Sequence, residues 1–211
     1  MLQNQFTALL LRYTQNNSLI QHSWKAIEDA YANSERHFHN LSHLEQLYAA
    51  LSPLQEQIED WDSLLFALFY HDIAYDVVQY VLENDNEERS AAIAEKALTA
   101  IGFPALRTER CRQHILATKT HRVTGDTDTN FFIDADLSIL GQPWEAYHDY
   151  MKNIRKEYII YPDNIYHSGR VKVLKQFLKM ERVYKSDYFF KLYETTAREN
   201  MSREIEIFSL L

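Results

Sequence analysis

The chain has 211 residues, a length that suits one large domain or two small ones. Its 30 acidic and 22 basic side chains give a net charge of −8, so there is no overall basic footprint for nucleic acid or an anionic membrane. A single cysteine, Cys111, excludes an internal disulfide framework and fits a reducing compartment. Met1–Phe6 lacks the basic start and apolar core of a signal peptide, and no window approaches a membrane span, so a cytoplasmic protein is expected. Only 4 glycines and 4 prolines argue for long helices and few tight turns.

In chain order, Leu2, Phe6, Leu9, Leu10 and Tyr13 have helical spacing over residues 2–13. Asn16-Asn17-Ser18 breaks the pattern and supplies a cap. Leu19, Ile20, Trp24, Ile27, Ala30 and Tyr31 then mark a second amphipathic helix. Residues 31–40 are polar and aperiodic. Asn40 can cap a third helix bearing Leu41, Leu44, Leu47, Tyr48 and Leu51, which Pro53 ends. From about Asp60 an apolar helix follows, with Asp62 as an acidic cap candidate.

Helical turn and loop are both compatible with 77–83, and 84–86 is a break. Glu87–Ile101 reads as a helix with Gly102 as its C-terminal cap. Pro104 starts another through about Thr118, on which Arg107, Arg110 and Arg112 read as a solvated face. A loop is expected over 122–130 and a short apolar segment over 131–141. Helices are expected from Pro143 to about Tyr158, from Gly169 to Val183 and from Asp187 to Phe208, with a break at 161–164. The aromatic tail, with Tyr184, Tyr188, Phe189, Phe190 and Tyr193, reads as core packing, and a homodimer through that helix stays open. Strands and internal repeats find no support. One all-α domain is expected.

Three clusters depart from this background: Arg36-His37-Phe38-His39-Asn40, His71-Asp72 within an apolar helix, and Asp134-Ala135-Asp136 within an apolar segment. A buried carboxylate is costly unless it is hydrogen-bonded, charge-paired or bound to a metal. A divalent cation relieves that cost for imidazole and carboxylate together. Adjacent helical residues point about 100° apart, so His71 and Asp72 converge on one ion only near a helix end or a distortion. One site fed by several helices would account for all three clusters.

The sequence resembles the HD superfamily of metal-dependent phosphohydrolases, all-α proteins whose ligands follow the order His, His-Asp, Asp. The resemblance is carried by residues 36–40, 70–75, 84–91, 117–121, 132–141 and 155–158, so it covers roughly 30–180. It is closer to small stand-alone bacterial members described as predicted phosphohydrolases. It implies a helical bundle of the HD type with metal ligands His39, His71, Asp72 and Asp136. His37 and His43 compete with His39, and the resemblance selects His39; His43, one turn into its helix, would then support the site or be exposed. Asp136 is preferred to Asp134, which can orient a ligand or accept a bond from arginine.

Members with two metals carry further histidines, yet residues 86–88 contain none, so one divalent ion is expected. Mn, Fe, Co, Ni, Zn and Mg all suit mixed His and Asp ligands. His114 and His121 remain candidates if a second ion binds; His121 is otherwise a proton donor, a phosphate contact or a plain surface residue. Asp72, Glu87 or Glu88 is expected to take the proton from a metal-activated water. Arg36, Lys119 and Arg155 are expected to hold phosphate, whereas Arg170 reads as a surface salt bridge. The expected function is hydrolysis of a phosphomonoester or phosphodiester in a nucleotide or other small phosphorylated metabolite. The alternative is an HD-type sensor that holds metal and nucleotide without turnover.

Overall fold

The computed structural model describes residues 1–78 and 85–209, and it is all-α, with no strand among the described residues. The helices are α1 (Leu2–Leu10), α2 (Asn17–Tyr31), α3 (Leu41–Leu51), α4 (Trp61–Tyr70), α5 (Asn86–Ala100), α6 (Ala105–Ala117), α7 (Thr127–Asp136), α8 (Trp144–Glu157), α9 (Asp163–Lys179) and α10 (Asp187–Ser209). Two 3₁₀ segments, Ser52–Gln57 and Leu137–Gly141, follow α3 and α7. Most of the stretch 77–83, where helical turn and loop were both open, lies outside the described residues. No described helix is long and apolar enough to cross a membrane. The chain forms two compact units, 1–133 and 134–211, divided within α7.

In the first unit α4 is central. Leu64, Phe66, Ala67, Leu68 and Phe69 are all 0% exposed, so the helix is apolar around its whole circumference, as a core helix must be. At roughly 2 kcal/mol for each buried Leu or Phe, the helix contributes a gross burial term on the order of 10 kcal/mol. That outweighs the few tenths per residue of helix propensity. Phe6 of α1 meets Phe69 edge-on at 4.8 Å, and Phe103 meets Phe66 at 4.9 Å.

The cap of α4 is Asp60, whose side chain accepts from Ser63 N at 3.1 Å, and not Asp62. Arg107 grips Asp60 with Nε at 2.9 Å and Nη2 at 2.5 Å. Asp62 binds Arg12 and Tyr13 instead. Asp128 accepts from Glu59 N and Asp60 N, and Arg110 lies 3.1 Å from the same carboxylate. Arg107, Arg110 and Arg112 are therefore not a solvated face: each is part-buried against acidic partners, Arg112 pairing with Glu95 and Glu109. Their spacing showed the shared face but not the carboxylates opposite. The close of α5 is a Schellman motif, with Phe103 N donating to Leu98 O and Gly102 N to Thr99 O, and Gly102 taking φ 74°.

In the second unit, α8, α9 and α10 accompany the Leu137–Gly141 turn. Glu194 accepts from Val183 N and Tyr184 N at 3.0 Å, and Tyr184 donates to Leu137 O at 2.9 Å. Tyr184 and Phe189 are core, whereas Tyr188 and Leu192 are exposed. Helix α9 starts at Asp163, six residues before the expected Gly169, because Pro162 stands at its N-cap and Asp163 favours the positive end of the helix dipole.

Candidate metal centre

The site begins where α4 stops. Tyr70 is the last helical residue, and His71 is the C-cap with its N–H on Ala67 O at 2.8 Å. Asp72 follows immediately. This is the helix end that two adjacent side chains need in order to converge. His71 is 1% exposed, and its Nδ1 lies 3.0 Å from Leu68 O. Donation from Nδ1 uses the one proton of a neutral imidazole and leaves Nε2 with a bare lone pair. His43 comes from the first turn of α3, whose start is fixed by the Asn40 side chain accepting from Ser42 N at 2.9 Å. It is 4% exposed.

His43 Nε2 lies 3.2 Å from His71 Nε2, and Asp72 Oδ2 lies 3.1 Å from His71 Nε2 and 3.9 Å from His43 Nε2. Ligands about 2.1 Å from one ion stand about 3.0 Å apart at a right angle and about 3.4 Å apart at the tetrahedral angle. The two short spacings fall in that interval, and the third corresponds to a wider ligand–metal–ligand angle. Two imidazole nitrogens and a carboxylate oxygen turned toward one point thus fit a divalent cation, and they are the only such group among the described residues. The backbone carbonyl on His71 Nδ1 is the outer partner that a metal-bound histidine needs.

His43 is therefore neither exposed nor remote, contrary to one of its two expected placements. It shares the buried stripe of α3 with Leu44 and Leu47, and that period was the signal for it. His39 is half-buried beside the cluster, its ring 5.7 Å from that of His43 and 4.4 Å from that of Tyr75. His37 is exposed. Arg36 is 8% exposed and donates to the carbonyls of Asp72 at 2.7 Å and Ile73 at 3.1 Å.

The first turn of α5 closes the site from another side. Ser90 Oγ accepts from Ala74 N at 3.1 Å, and Asn86 Oδ1 accepts from Asp76 N at 3.3 Å, so the segment after Asp72 is tied to α5. Burial pushes the Glu87 carboxyl above its ordinary value, and the negative charge of Asp72 adds to the effect. Glu87 Oε2 is buried without a hydrogen-bond partner among the described residues. Glu88 behaves differently: burial opposes its ionisation, but Lys119 Nζ at 2.6 Å prevails and holds it below the ordinary value. His121 follows α6 in a left-handed conformation, φ 48°, and its N–H reaches Ala117 O at 3.0 Å. His114 is fully buried in α6, with Nδ1 2.8 Å from Thr129 Oγ1.

Four residues named from the sequence belong to the second unit. Asp134 is 0% exposed and accepts from Lys185 N and Ser186 N, both at 2.7 Å, and from the Ser186 hydroxyl. Asp136, two residues on, is half-buried, and its charge helps to raise the pKa of Tyr150, chiefly an effect of that tyrosine's burial. Arg155 binds Asp163 and the carbonyls of Tyr158 and Tyr161. Arg170 forms a salt bridge, as expected, but a buried one: its partner Glu204 is 0% exposed and also accepts from Tyr147. No protein-family model matches the chain, and no curated protein or solved structure matches it.

Proposed function

We propose that this chain is a metal-dependent phosphohydrolase of the HD type, acting on a nucleotide or other small phosphorylated metabolite. The observation that carries the reading is the convergence of His43, His71 and Asp72, with the His71 tautomer fixed by Leu68 O. When bound, a divalent cation supplies a water of lowered pKa and neutralises charge on a phosphoryl group. The chain's own part is to orient these ligands and to move a proton. Glu87 is the carboxyl suited to that proton, because burial and the neighbouring charge of Asp72 raise its affinity for one. Lys119, paired with Glu88, keeps a positive charge beside the same carboxyl. The first unit has 10 basic and 18 acidic side chains, so the net charge of −8 resides there. Such a field opposes a polyanion, and it favours a small substrate whose phosphate is neutralised by the cation.

The test is metal content by plasma mass spectrometry, followed by a screen of nucleotides and sugar phosphates with the metal found. About one ion per chain is expected, with phosphate release that the double variant His71→Ala/Asp72→Ala lacks. A folded wild type that binds no divalent metal, or a metal-loaded one that hydrolyses no phosphomonoester or phosphodiester, would refute the reading.

A further inference from the structure

We infer that Arg36 is a positioning residue of the metal centre, fixing the His71–Asp72 pair from behind and making no contact with substrate phosphate. This rests on the metal-centre reading above. The last carbonyls of a helix have no partner within it, and that end carries partial negative charge. Arg36 places its positive charge just past that end of α4, on the two residues that follow the His71 C-cap: Nη1 donates to Asp72 O at 2.7 Å and Nη2 to Ile73 O at 3.1 Å. Two donors in a rigid fork match two successive carbonyls, which a lysine ammonium cannot do. Nη1 also approaches His39 O at 3.4 Å, so one side chain ties the segment leading into α3 to the end of α4. Those two segments carry His43, His71 and Asp72.

The guanidinium is itself held. Its carbon lies 4.9 Å from the ring centroid of Tyr31 and 5.3 Å from that of Tyr75. The Tyr31 hydroxyl accepts from Asp72 N at 3.1 Å. Both backbone polar groups of Asp72 are thus fixed, the carbonyl by Arg36 and the N–H by Tyr31, and its Oδ2 is aimed at His71 Nε2. With Nη1 and one Nη2 donor committed to carbonyls, Nε buried and the residue only 8% exposed, the guanidinium is occupied in holding backbone rather than an incoming phosphate.

The test is calorimetric titration of the metal-free protein with Mn²⁺ alone, comparing wild type with Arg36→Met, Arg36→Lys and Tyr31→Phe. Loss of an outer-shell partner should weaken Mn²⁺ binding about 10- to 100-fold in Arg36→Met, and less in Arg36→Lys. At saturating Mn²⁺, KM for p-nitrophenyl phosphate should stay within about twofold of wild type, because the bound geometry is restored. Unchanged Mn²⁺ affinity in a folded variant overturns the inference, above all if KM rises tenfold or more. Should Arg36→Met not fold, Arg36→Lys decides by the same criterion. A wild type that binds Mn²⁺ without hydrolysing any ester sinks the phosphohydrolase reading and leaves the Arg36 comparison intact. A wild type with no affinity for Mn²⁺ or any other divalent ion sinks both.

Discussion

His114 should make this protein acid-sensitive by an amount that can be worked from its surroundings. The imidazole is 0% exposed, and Nδ1 stands 2.8 Å from the Thr129 hydroxyl, which donates onward to Asp126 at 2.7 Å. Nδ1 is therefore the protonated nitrogen, and Nε2 is a buried lone pair with no hydrogen-bond partner among the described residues. Burial drives the group down to about 4, against the opposing pull of Asp126. An unfolded histidine titrates near 6.5. The unfolded chain thus takes up the proton first, and stability falls as pH drops from about 6.5 toward 4. The full difference amounts to about 3 kcal/mol, and about 2 kcal/mol of it is lost between about pH 7.5 and pH 5.

The assay is urea unfolding in the presence of a chelator, at both pH values, for wild type and His114→Asn. The asparagine amide can still donate to Thr129 but does not titrate. Its cavity lowers stability equally at both pH values, so the wild-type loss on acidification should exceed the variant's by about 2 kcal/mol. Parallel losses would show that His114 is protonated as easily when folded as when unfolded, and would refute the argument.

Replacing His43, His71 or Asp72 singly with Ala should abolish stoichiometric metal binding while leaving the far-ultraviolet circular dichroism helical; retained metal in His43→Ala would remove that residue from the ligand set. Glu87→Gln should keep its metal and lose about 10²-fold or more in kcat. In wild type the acid limb of the pH–rate profile should lie above the ordinary glutamate value of about 4.3, and should vanish in that variant. Gly141→Ala should destabilise the chain by more than about 1–3 kcal/mol in urea, because a Cβ there would stand 2.9 Å from Tyr193 Cα, a backbone atom that cannot yield.

Local chemistry was enough for most of the helices, although α7 begins at Thr127, inside the stretch 122–130 expected as a loop, and α9 begins before Gly169. The apolar period, the caps at Asn16 and Asn40, and Gly102 in its left-handed turn are interactions within a few residues, and they recur where the sequence put them. The all-α class followed for the same reason. Those local signals also showed His71 and Asp72 to be out of place in an apolar helix, and their convergence on one ion would require them to lie at its end, where the structure has them.

Which histidine joins that pair was not a local matter. His37, His39 and His43 are separated by a few positions on one segment, and only the packing of α3 against α4 brings His43 Nε2 to 3.2 Å from His71. The fate of each charged group depended equally on distant partners. Asp134 is turned to the backbone of Lys185 and Ser186, some fifty residues on, and Glu88 is committed to Lys119. Arg36, a plausible phosphate ligand by type and position, is spent on carbonyls 36 and 37 residues away. A charged side chain in sequence shows only that it must find a partner. Burial makes the choice of partner energetically decisive, and burial is settled when the helices pack.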